Sequence, residues 1–267
     1  MTESREHGPY SGPAGAEGQR TGSTRSELDT DEREFSFWQD RTRVFLQPIA
    51  APSILGYFAF ATATMMVGAW MARWYGTILT PVILFPFLLT AGLAQLMAAT
   101  WSYRARDGLA TAVHGMWGAF WFAFGLMFML VALGAFPIAL APRIGVANPS
   151  FAFWFIALCL ITGLCALAAT ARNLGLAVLL ILLAVGSGFA AAGFFSGASW
   201  LVIIAGWLFV ASAAAALYVA GAMLLEGSFG RTILPLGHYT AAANVPGRKV
   251  TRPLEYKYGQ PGVKIGQ

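Results

Sequence analysis

Residues Phe151–Thr170 read FAFWFIALCLITGLCALAAT, twenty positions without a charged side chain. A helix rising about 1.5 Å per residue covers about 30 Å in that length, the thickness of a bilayer's hydrocarbon core. Cys159 and Cys165 both lie in this stretch, six residues apart. That is about 600° of helical rotation, so they point to different faces and form neither a disulfide framework nor a zinc site. Apolar runs of comparable length flank it, over about 53–72, 80–102, 110–135, 174–194 and 199–224. The predicted fold class is an all-α integral membrane protein, a bundle of six transmembrane helices.

Composition agrees. Of 267 residues, 57% are hydrophobic and 11% charged, with mean hydropathy +0.63, which excludes an ordinary soluble domain. Charge is segregated: residues 48–225 carry five arginines and Asp107, and all six fall between apolar runs, marking loops. The net charge of +5 is therefore no basic stripe for nucleic acid, and no nucleic-acid partner is expected. Trp74, Tyr75, Trp101, Tyr103 and Phe195–Trp200 punctuate the run ends as interfacial aromatics do. An even number of spans puts both termini on one side. Placing the N-terminus inside leaves Arg41, Arg43, Arg104, Arg106, Arg172 and Arg231 cytoplasmic, against Arg73 and Arg143 outside. Both termini are thus expected to be cytoplasmic, and the protein is expected in the cell (inner or plasma) membrane.

The remaining chain divides by composition. Residues 1–34 are rich in Gly, Ser, Thr, Pro and mixed charge, and read as a disordered tail rather than a signal peptide. Residues 35–47 mix aromatics with Arg41 and Arg43, as an amphipathic lead-in at headgroup level would. Residues 48–225 are the six-span membrane domain, and 226–267 a basic cytoplasmic tail. Small residues crowd the spans, at Gly186-Ser187-Gly188 and Ala211–Ala216 for example, which suits close helix approach and protomer contacts.

Membrane enzymes carry intramembrane acids, His clusters or metal motifs. None is visible, so no catalytic residue, cofactor or metal ligand is assigned, and no Gly-rich phosphate loop supports ATP-driven transport. One ionisable group lies inside a span. His114 sits three residues before Trp117, roughly on the same helix face. It reads either as a pathway-facing imidazole that favours an anion when protonated, or as a packed histidine bonded to backbone.

Phe229-Gly230-Arg231-Thr232-Ile233-Leu234-Pro235-Leu236-Gly237 resembles the FGRT-x-LP-x-G ending of the acetate uptake transporter family, the succinate/acetate permeases. Ala91-Gly92-Leu93-Ala94-Gln95 is similar to the family's GG-x-x-Q and Trp117-Gly118-Ala119-Phe120-Trp121 to its YG-x-FW, in the right order. The resemblance covers about residues 48–237. It implies a six-span bundle, a ring of six protomers in the lipid bilayer with a pore in each, and movement of small monocarboxylates, chiefly acetate and sometimes succinate. It also implies an apolar constriction of Phe58, Trp117 and Leu183, with Leu182 the alternative to the last. Gln95 and Thr62, with His114, are candidate pathway residues.

The departures bear on the substrate. The stretch Gln47–Pro52 has two extra residues between its prolines and no Asn. Ser102 stands for Glu, Asp107 for an Asn, His114 for an aromatic and Trp117 for Tyr. Acetate is ionised at neutral pH, and passing a dry ring costs a carboxylate several kcal/mol unless dipoles or protonation offset it. Aromatic edges and hydroxyls such as Thr62 or Thr64 would supply part of that, making passage passive or proton-coupled. A channel for another small anion or a neutral solute, and a membrane sensor or scaffold acting through the tails, are the alternatives.

Overall fold

The computed structural model describes residues 50–76, 80–137 and 141–238. The expected N-terminal tail, the lead-in over 35–47, Gln47-Pro48 and the basic stretch Arg248–Arg252 lie outside the described residues. Six helices follow one another: α1 (Pro52–Met71), α2 (Thr80–Arg104), α3 (Gly108–Ala132), α4 (Pro149–Ala169), α5 (Leu174–Ser196) and α6 (Ser199–Phe229). Each is long and apolar enough to cross a membrane, and no strand occurs among the described residues. This is a multi-pass, all-helical membrane protein.

Local chemistry sets the helix ends. Asp107, Asn148 and Asn173 cap α3, α4 and α5, their side-chain oxygens accepting from the N–H of Ala110, Phe151 and Leu176 at 3.0, 3.1 and 2.8 Å. Pro52 and Pro149 occupy first-turn positions, where a missing N–H costs nothing. Gly197 and Gly230 end α5 and α6 in the left-handed conformation, at φ 76° and 63°. The last helix runs to Phe229, past the boundary expected at 225, because Glu226, Gly227 and Ser228 meet no breaker before Gly230. At 31 residues α6 is about 46 Å long, well beyond the hydrocarbon thickness.

Each helix packs on its sequence neighbour and α6 returns to α1, closing the bundle. The close crossings use glycine. A Cβ on Gly92 would fall 2.5 Å from the Phe122 N in α3, and one on Gly118 2.9 Å from the Gln95 Cβ in α2. Gly206 of α6 lies directly against the backbone of Ala72 at the end of α1. Such contacts, rather than hydrophobicity, hold helices together in lipid. The exception is α3 against α4, whose backbones approach less closely. Rings fill that seam, Phe120 meeting Phe151, Trp154 and Phe155 at 6.3, 6.3 and 5.3 Å between centroids. Cys159 and Cys165 are free thiols on α4.

Candidate functional site

The middle of the bundle is built around Trp117 of α3, 1% exposed. Its ring meets Phe60 of α1, Phe120 and Trp121 of its own helix, and Phe209 of α6, with centroids 5.5–6.1 Å apart. Its indole N–H donates to the Thr162 hydroxyl of α4 at 3.0 Å. Three edge-on contacts and one hydrogen bond fix the ring's orientation, so a bulky aromatic slab lies across the core with its polar edge turned to α4.

The expected constriction residues divide. Trp117 and Leu183 are fully buried in the core, and Leu182 is only half-buried, so α5 presents Leu183 inward. Phe58 is half-buried and packs at the margin of the core. Phe60, about 200° away round α1, turns its ring to Trp117. Thr62 is exposed and its hydroxyl donates to the Phe58 carbonyl at 2.9 Å. Thr64, two residues on, is completely buried.

Among the described residues, the buried polar side-chain atoms without a hydrogen-bond partner lie in the first three helices. Gln95, Ser102, His114 and Thr64 are all 0% exposed, and their side-chain polar atoms have no protein hydrogen-bond partner among the described residues; nor has the Trp121 indole N–H. By contrast, the buried hydroxyls of α5 and α6 are satisfied, Ser187 donating to the Leu183 carbonyl at 2.8 Å and Ser212 to the Leu179 carbonyl at 3.0 Å. His114 lies one turn before Trp117, its imidazole in edge contact with the Tyr57 ring at 4.7 Å. It fits because Gly56 has no side chain: a Cβ there would come within 2.5 Å of Nδ1. Tyr57 in turn borders a cavity of about 10 Å³ with Asn173, Leu176, Val219, Met223 and Leu236. That is at the lower limit for one water molecule, so the bundle is closed at this level. A groove of about 330 Å³ between α4 and α5, over Gly188 and Ala191, is larger but apolar and opens on the exposed flank beside Leu160 and Phe195.

The end of the bundle nearest His114 is fastened. Arg172, before α5, forks onto the Asp107 carboxylate at 2.6 and 2.8 Å. Burial pushes the Asp107 carboxyl up, but the Arg172 hydrogen bonds and the Ala110 N–H outweigh it and hold the group below the usual carboxylate range. The same bond raises the Arg172 guanidinium above its ordinary value, against its own burial. Past α6 the chain folds back: Leu174 and Gly175 donate their N–H to the Gly237 and Leu236 carbonyls at 3.1 and 2.9 Å, and the Tyr218 hydroxyl donates to the Pro235 carbonyl at 2.8 Å. Among the described residues no three His, Cys, Asp or Glu side chains converge to hold a metal ion.

Residues 38–238 match the sequence model of the GPR1/FUN34/yaaH family. An uncharacterized protein of Methanothermobacter thermautotrophicus is 29% identical over 189 residues, covering 70% of this chain and 90% of that protein. The succinate-acetate/proton symporter SatP of Escherichia coli K12 is 25% identical, covering 71% and 96%. Among solved structures, the bacterial acetate channel SatP superposes with a TM-score of 0.63 at 21% identity, over 71% of this chain and all of that one.

Proposed function

The chain belongs to the GPR1/FUN34/yaaH family, the acetate uptake transporters, and from that premise we propose that it carries small monocarboxylates, acetate foremost, through the bundle. Membership supports reading it as a membrane transporter or channel rather than an enzyme. The observation that carries the finer reading is the Trp117 slab, an apolar barrier locked by Thr162 with unpartnered polar groups on the neighbouring helices. Trp117 and Leu183 form the constriction together with the α1 aromatics, Phe58 by the family resemblance and Phe60 by its contact with Trp117. Both termini face the cytoplasm of a cell-membrane protein that assembles as a hexamer with one pathway per protomer. Passage is proton-coupled, because a protonated acid crosses the dry ring without the several kcal/mol that a carboxylate's desolvation costs. Succinate, with two carboxylates to desolvate, passes more slowly.

The test is uptake of radiolabelled acetate into proteoliposomes of the purified protein, with and without an inward proton gradient. Saturable uptake stimulated by the gradient is expected. Uptake indifferent to the gradient replaces the symport reading with a channel, and absence of protein-dependent flux removes acetate as the substrate.

A further inference from the structure

His114 departs from what burial ordinarily permits. Both imidazole nitrogens are sealed from solvent without a protein partner, although a buried polar group left unpaired costs on the order of 1–3 kcal/mol. The surroundings accommodate the ring rather than satisfy it. Gly56 gives up its side chain to admit it, and Tyr57 offers a ring edge. Gln95, whose amide is equally unpartnered, stands opposite Gly118, one turn further along α3 and about 6 Å deeper along the axis. Two unpaired polar side chains thus lie on either side of the level of Trp117's backbone, on helices that meet in the α2–α3 seam.

A neutral imidazole presents one N–H donor and one acceptor in either tautomer, and a primary amide presents two N–H donors. A carboxylate accepts both kinds of hydrogen bond, whereas a neutral amide of the same shape accepts them far more weakly. We propose that His114 is a specificity-determining residue of the transport pathway: its imidazole N–H binds the solute's carboxylate on the near side of Trp117 and favours acids over neutral isosteres, with the Gln95 amide receiving the carboxyl group one turn deeper after the acid has crossed in protonated form. This inference rests on the carboxylate-transport reading above. Tyr57, between His114 and the small cavity, is the side chain that must turn aside for the solute to reach the imidazole.

The experiment compares radiolabelled acetate and acetamide uptake by the full-length protein, His114→Phe and His114→Gln in proteoliposomes. His114→Phe is expected to raise the KM for acetate about tenfold, the loss of one charge-assisted hydrogen bond, and to leave acetamide flux within about twofold. His114→Gln, which keeps an N–H donor, restores the acetate KM to within about threefold. Acetamide flux reports that each variant still folds and conducts. An acetate KM unchanged in His114→Phe, or an acetate KM that His114→Gln fails to restore while acetamide still passes, overturns the assignment while the wild-type acetate flux leaves the transport reading standing. No acetate flux in the wild type overturns both.

Discussion

The Asp107 carboxylate and the Arg172 guanidinium, 65 residues apart in sequence, face each other through two parallel hydrogen bonds. One belongs to the α2–α3 turn and the other to the α4–α5 turn, so the pair fastens together two hairpins of the bundle. Asp107 also caps α3, which makes one carboxylate responsible for a helix start and an interloop tie. The fork geometry is the strong form of such a contact.

Asp107→Asn keeps a capping oxygen and discards the charge, so it isolates the tie. Because both side chains are partly exposed, the expected loss is at the low end for an ion pair, about 1 kcal/mol. The folded-state pKa of Asp107 is depressed, so this stabilisation is present above the ordinary carboxylate pKa and is lost as pH falls through the lower native value. Thermal unfolding of the detergent-solubilised proteins should show a gap at pH 7 that begins to narrow below about pH 4 and closes once the pH is below the lowered native value. A gap that persists there assigns the effect to something other than charge.

Trp117 has two separable roles. Trp117→Phe leaves the Thr162 hydroxyl buried without its donor and should cost roughly 1–2 kcal/mol of stability with acetate still transported. Trp117→Ala removes the slab itself and should admit longer acids, so the ratio of butyrate to acetate uptake rises at least several-fold. If the ratio stays at the wild-type value, the narrowest point lies elsewhere.

Gly56 exists for the sake of a neighbouring ring. Gly56→Ala places a Cβ against the imidazole of His114, an overpacking expected to cost about 1–3 kcal/mol. In a double-mutant cycle His114→Ala should recover most of that loss, because it removes the atoms in collision. Additive losses in urea or thermal unfolding would show the two sites to be independent.

Thr62 and Thr64 make a paired test of which α1 face matters. Thr62 is exposed, with its hydroxyl occupied by the Phe58 carbonyl, so Thr62→Ala should leave acetate uptake within about twofold. Thr64→Val conserves volume while removing a buried, unpartnered hydroxyl, and should stabilise the protein or leave it unchanged while lowering uptake. Reversed results would turn α1 round by half a revolution.

Six helices were legible because each apolar run is long enough to cross a bilayer, whereas the caps Asp107, Asn148 and Asn173 that fix three of the starts emerged only with the structure. Which side of each helix faces inward was not. A span apolar on all sides has no solvent face to break the symmetry, so Phe58 and Phe60 look equally suited to a constriction until Trp117 is seen against the second. The same ambiguity made Thr62 and Thr64 interchangeable. Arg172 and Asp107 stood out as loop markers, but nothing in their spacing linked them, since the tie depends on how two hairpins stack. His114 was noticed as the one ionisable group in a span; Gly56, which admits it, carried no signal until packing was visible.

The backbone bonds from Leu174 and Gly175 to Gly237 and Leu236 also impose an order in time. A ribosome adding roughly 5–20 residues each second needs several seconds to pass from the start of α5 to the residues that accept those bonds. Once Ser196 has been added, the fifth helix spends the rest of that interval complete while its first amides await their acceptors. The newborn chain is therefore completed by its own tail, and synthesis halted at the end of α6 would release six inserted helices whose fifth was never latched.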